Sequence, residues 1–151
     1  MKRYFLVGIG LLTGGLLGAG CGDDGDDGGA GNGTGNGGQN VECTPGAGGA
    51  CQNDTDCPKV ETGEVRTTAQ TCGRGCQQDP DPAACAVGCI VSGAEVTMPC
   101  AACYAALVGC ASQNCLAECG ADPASDACNQ CQVSSGCRGT FDSCSGLMST
   151  N

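Results

Sequence analysis

The chain has 151 residues, 17 of them cysteine and none histidine or tryptophan; 16 acidic side chains stand against six basic ones, for a net charge of −10. Such a surface is a poor partner for nucleic acid and for anionic lipid head groups. The lack of histidine removes the usual general base, the usual zinc nitrogen ligand and every Ser/His or Cys/His dyad.

Residues 1–3 are a short basic start. Residues 4–17 (YFLVGIGLLTGGLL) are an apolar run, followed by Gly18, Ala19, Gly20 and Cys21. This is the layout of a secretory signal, too short to span a bilayer as a mature helix, so residues 1–20 are expected to be removed. The small residues before Cys21 resemble a bacterial lipoprotein signal, in which that cysteine becomes the new N-terminus. Leu17 stands one place further from the cysteine than is usual for that signal. The resemblance implies a diacylglyceryl group and an amide-linked acyl chain such as palmitate on Cys21; no other cofactor is expected. Parity points the same way, because 17 cysteines cannot all pair and 16 can. Two or more acyl chains hold a protein stably at a membrane. Gly22 rather than Asp after the cysteine favours the outer membrane, by analogy with other lipoproteins. If Cys21 is not acylated, the chain is a soluble secreted protein.

Residues 22–40 are glycine-rich and carry Asp23, Asp24, Asp26 and Asp27. Such a composition buries no core and behaves as a flexible coil, spanning about 24 Å for nineteen residues. A tether fits it better than a calcium site, which needs six to eight oxygens in a defined loop. Residues 41–71 read as irregular, with Cys43, Cys51 and Cys57 set among turn signals. Asp54 and Asp56 are expected to bond local backbone amides. Three cysteines here must send at least one bridge forward, so residues 41–151 form one domain.

From Thr68 onward helices are expected, organised by cysteines that repeat. The first run is Cys72-x3-Cys76-x8-Cys85-x3-Cys89-x10-Cys100-x2-Cys103-x6-Cys110. The second is Cys115-x3-Cys119-x8-Cys128-x2-Cys131-x5-Cys137-x6-Cys144. The runs (72–110 and 115–144) read as an internal duplication, each with an Asp-Pro turn between its cysteine pairs. Cysteines four apart share a helix face, and Pro82 suits a first helical turn. Two short antiparallel helices then meet through their cysteines. The expected pairs are Cys72 with Cys89 and Cys76 with Cys85, then Cys115 with Cys131 and Cys119 with Cys128. Four residues rise about 6 Å, close to the Cα separation a bridge prefers. Cys100, Cys103, Leu107 and Cys110 form a core stripe on the best helix of the chain. Ser112 or Asn114 could cap the next segment. Cys137, Phe141 and Cys144 repeat the stripe, and Gly146 should end that helix. Cys43, Cys51, Cys57, Cys100, Cys103, Cys110, Cys137 and Cys144 are bridge cysteines without assigned partners.

Large apolar side chains are few beyond the signal. Burying one stabilises by roughly 1.5–3 kcal/mol, while ordering each residue costs about 1–2 kcal/mol. A native disulfide in a small secreted domain adds about 2–5 kcal/mol. Stability is therefore expected to rest on about eight bridges. Cys100-x2-Cys103 and Cys128-x2-Cys131 also have zinc-ribbon spacing, but after a secretory signal the same spacing usually means disulfides. No G-x-S-x-G and no aromatic-lined pocket are evident. The carboxylate pairs Asp79 with Asp81 and Asp122 with Asp126 read as turn and cap residues. No catalytic residue, metal site or small-molecule substrate is expected.

Cys100-x2-Cys103-Tyr104, Cys115-Leu116-x2-Cys119 and Gly136-Cys137-x3-Phe141-x2-Cys144-Ser145-Gly146 together resemble the cysteine-rich lipoproteins found in large numbers in myxobacteria and their relatives. The resemblance covers about half of the chain and implies a lipid-anchored envelope protein, with no catalytic residues to carry over. The expected fold is small, disulfide-rich and mainly α, with stapled antiparallel hairpins after an irregular N-terminal segment. The expected role is structural or one of protein interaction, with the acidic turns at 79–82 and 122–126 meeting a basic protein or polycation. The alternatives are a secreted inhibitor or toxin-like effector and an extracytoplasmic metal-binding protein.

Overall fold

The computed structural model describes residues 41–148. The expected signal, Cys21 and the tether lie outside the described residues. Seven helices follow one another within that span: α1 Cys57–Glu61, α2 Glu64–Gly75, α3 Pro82–Ala94, α4 Met98–Asn114, α5 Leu116–Cys119, α6 Asp126–Ser134 and α7 Cys137–Ser145. The mainly helical, disulfide-rich class expected from the spacing is the class observed.

Apolar spacing explains which faces turn inward. Val65, Ala69 and Cys72 recur at i, i+4 and i+7 on α2, and all are buried. Ala86, Ile90 and Ala94 do the same on α3. These two stripes pack on α4, whose buried face includes Cys100, Ala101, Cys103, Tyr104 and Ala105. α7 also packs on α4, through Phe141, and Leu147 follows it into the core at 1 % exposure. Full burial of Ile90 contributes on the order of 2 kcal/mol.

Eight disulfides tie these elements. Cys72 is bonded to Cys89 and Cys76 to Cys85, with Cα separations of 5.7 and 5.8 Å. Cys115 is bonded to Cys131 and Cys119 to Cys128. These are the pairs derived from the spacing. Cys103 is bonded to Cys144 and Cys110 to Cys137, so the two seven-residue steps on α4 and α7 run antiparallel and make a third ladder. Cys43 is bonded to Cys57, and Cys51 reaches Cys100 at the centre, both of the latter being fully buried. That last bridge is the forward link required by parity.

Helix begins earlier than expected. Pro58 in the first turn starts α1, and α2 begins at Glu64 rather than near Thr68. The cluster of Asn and Asp before Cys57 reads as irregular, yet its role is to open a helix. Asn53 Oδ1 accepts from the amides of Thr55 and Asp56 at 3.1 and 3.0 Å, which presents the chain to α1. Ser112 and Asn114 are not caps either. Their side chains donate back to the carbonyls of Gly109 and Cys110 at 2.8 and 2.9 Å, inside α4. α4 continues because Cys115 N–H still reaches Ala111 O at 2.8 Å, and α5 starts directly after Cys115.

Candidate binding cleft and the buried Asp56

Asp56 is fully buried. Its carboxylate accepts from Thr97 N at 2.7 Å, Thr97 Oγ1 at 2.6 Å and Asn53 Nδ2 at 2.7 Å. The expectation of purely local turn bonding is wrong for this residue: two of its three hydrogen bonds come from Thr97, 41 positions away at the N-cap of α4. A carboxylate that accepts several short bonds tolerates burial that would otherwise be costly. Asp54, by contrast, stays exposed.

The hairpin turns are built alike. Asp79 Oδ1 accepts from Asp81 N at 2.9 Å, and Asp81 caps α3 by accepting from Ala84 N at 3.0 Å. Asp122 Oδ1 accepts from Ala124 N at 2.9 Å, and Ser125 caps α6 by accepting from Cys128 N at 3.2 Å. All four carboxylates of the two turns (Asp79, Asp81, Asp122 and Asp126) remain exposed.

The zinc-like spacings do not converge on a metal. Cys100 and Cys103 turn to Cys51 and Cys144, and Cys128 and Cys131 turn to Cys119 and Cys115. Among the described residues, no group of three or more cysteine, aspartate or glutamate side chains is placed to hold a metal ion.

A cleft of about 400 Å³ opens between α2 and α4. Arg66, Gln70, Gly73 and Arg74 line it from one face of α2, and Gln77 lines it just past the end of that helix. Tyr104, Leu107, Val108 and Ala111 line it from α4 in the same way. Gly73 permits this approach, because a Cβ there would collide with the Val108 side chain. Arg138 and Phe141 of α7 close one side; Leu116 of α5, 61 % exposed, forms part of the rim.

The aromatic pair sets the electrostatics. Tyr104 and Phe141 meet edge to face, with centroids 4.8 Å apart. Tyr104 is 6 % exposed, and its hydroxyl makes no hydrogen bond among the described residues. Burial pushes its phenol up to about 12, against the pull of Arg66 and Arg138. Arg138 lies 5.9 Å from the centre of the Phe141 ring. Burial holds its guanidinium below the ordinary arginine value, Asp142 opposes that shift, and the like charge of Arg66 adds to it. Burial in turn raises the carboxyl of Asp142, with Arg138 pulling the other way.

Charge is distributed unevenly. Residues 41–148 carry twelve carboxylates and only four basic side chains, Lys59, Arg66, Arg74 and Arg138. Lys59 is engaged with Glu64 at 3.2 Å and with Glu95 at 3.8 Å. The three arginines all line the cleft. Arg74 Nε donates to Gln70 O at 3.4 Å, and neither it nor Arg66 makes an ion pair among the described residues. An aromatic-lined cleft with a cationic rim thus stands where the sequence offers no pocket. Its trace was present in Arg66-x3-Gln70-x3-Arg74, one helix face holding half of the domain's cations. No protein family, curated protein or solved structure matches the chain.

Proposed function

We propose that the chain is a lipid-anchored protein of the cell envelope, displaying a disulfide-stapled helical module for interaction with a partner. The observation that carries this reading is the cysteine count. Eight bridges use 16 cysteines, and the seventeenth, Cys21, stands after an apolar run and small residues. Eight disulfides form and persist in an oxidising compartment. Among the described residues no helix is long and apolar enough to cross a membrane, so an anchor through acyl chains on Cys21 is the simplest attachment. The acidic turns, exposed at opposite hairpins of the chain, suit a basic protein or polycation.

Intact mass of the mature protein tests the anchor. The expected product begins at Cys21, carries diacylglyceryl and amide-linked acyl mass, and gains two hydrogens per bridge on reduction. A mature chain with an unmodified Cys21 is instead a secreted soluble protein. Capture at low salt tests the partner: basic proteins should be enriched and lost as salt rises. Capture with no bias toward basic proteins contradicts that half of the reading.

A further inference from the structure

We propose that the cleft between α2 and α4 is a binding site for a single-chain amphiphile with a carboxylate head, such as a medium- or long-chain fatty carboxylate. This goes beyond the envelope role and does not depend on the anchor. Three observations converge on it. First, the cleft, at about 400 Å³, has apolar walls from Leu107, Val108 and Phe141, within the roughly 300–1,000 Å³ usual for small-molecule sites. Second, the domain gathers cations there despite twelve carboxylates against four basic side chains, and Arg66 and Arg74 make no ion pair among the described residues. Third, the Tyr104 hydroxyl, on a side chain 6 % exposed, has no hydrogen-bond partner among the described residues and feels the charge of Arg66.

A carboxylate satisfies these groups together. The guanidinium fork of Arg66 and the phenol O–H of Tyr104 supply three donors to its two oxygens. The acyl chain then follows α4 from Tyr104 toward Ala111, about 10 Å along the helix, and leaves past the exposed Leu116. Arg138 already has Asp142 and the Phe141 ring beside it, so the head group is assigned to Arg66 and Tyr104, with Arg74 further along the rim. The chain's own acidic segment, residues 22–40, is a poorer occupant. It offers aspartates but no apolar side chain beyond Ala30.

Titration of the oxidised chain from residue 21 onward, with Cys21→Ser so that no detergent is needed, tests the site. Tyr104 is the sole tyrosine in that span and the protein has no tryptophan, so its emission reports the cleft. Dodecanoate below its micelle concentration should bind one to one by calorimetry and shift the emission. Acetate and dodecyltrimethylammonium should do neither. Arg66→Gln should weaken dodecanoate by about tenfold or more and Arg74→Gln by less, with unchanged circular dichroism; Lys59→Gln should leave affinity unchanged. Equal binding of the cationic amphiphile, or affinity insensitive to both arginines, overturns the proposal. Dodecyl phosphate binding tighter than dodecanoate overturns the carboxylate assignment. Binding that appears only after Asp23, Asp24, Asp26 and Asp27 are changed to Asn makes the acidic segment the occupant. A dimer that dodecanoate dissociates makes a second copy the occupant, which also contradicts the proposal.

Discussion

In the first hairpin, α2 and α3 run 12 and 13 residues and bury Val65, Ala69, Ala86, Ile90 and Ala94. In the second, α5 and α6 run four and nine residues; α5 buries nothing and α6 only Cys128 and Gln132. Both carry an outer and an inner bridge across an Asp-Pro turn. The ladder therefore sets direction and register in both, while apolar surface decides how far each helix continues beyond it. Where that surface is scarce, the cross-links are the main ties of the hairpin. Even Gln132, only 8 % exposed, finds only sulfur for its amide N–H groups among the described residues, at 3.4 Å from Cys128 and 3.9 Å from Cys119.

Removing the ladders should separate the hairpins most sharply. With Cys115, Cys119, Cys128 and Cys131 all changed to Ser, amide-exchange protection across α5 and α6 should vanish while α2, α3 and α4 keep theirs. The matching change at Cys72, Cys76, Cys85 and Cys89 should lower global stability by at least about 2–5 kcal/mol yet leave protection in α2 and α3. Equal loss in both would show that apolar burial does not support the first hairpin.

An effect of similar size is expected at Asp56, the non-covalent clamp of the first half. Asp56→Ala strands Thr97 N–H and the Asn53 amide, and should cost roughly 3–5 kcal/mol in denaturant unfolding. Next comes Ile90→Ala, fully buried, at about 2–5 kcal/mol. Leu116→Ala in the second hairpin, at 61 % exposure, should stay within about 0.5 kcal/mol. A large loss at Leu116 would show an apolar core there after all.

The mildest test is the phenol of Tyr104. Its value is raised on folding to about 12, against about 10 in an unfolded chain. A raised folded value means the stabilisation is fully present below the unfolded value and is lost as pH climbs through the folded one. Phenolate absorbance of the oxidised mature protein should therefore appear near pH 12, and of the reduced, unfolded chain near pH ~10. Coincident titrations near pH 12 would mean that the Tyr104 environment survives reduction, and coincidence near pH ~10 that folding does not bury the phenol.

The hairpins are legible in the sequence because cysteines four apart and an Asp-Pro turn leave few geometries open. Gly146 as the stop of α7 is legible for a similar reason: its φ of 78° is one that a glycine adopts without strain. The α4–α7 ladder was half visible, since Cys103-x6-Cys110 and Cys137-x6-Cys144 share a spacing, but nothing local says that they face each other. The long-range role of Asp56 is not legible locally because its partner lies 41 residues on. Turn residues in 53–56 concealed the start of α1 by resembling a loop. The cleft depends on α2 crossing α4 at Gly73, a tertiary event, and only the arginines on one face of α2 hinted at it.

Sulfur bridges, more than an apolar interior, keep this chain folded, a statement put to the test by far-ultraviolet circular dichroism before and after complete reduction, without denaturant. Loss of most of the helical signal on reduction, and its return on reoxidation, is the result expected. A fully reduced chain that keeps its helical spectrum and a cooperative thermal transition would contradict it.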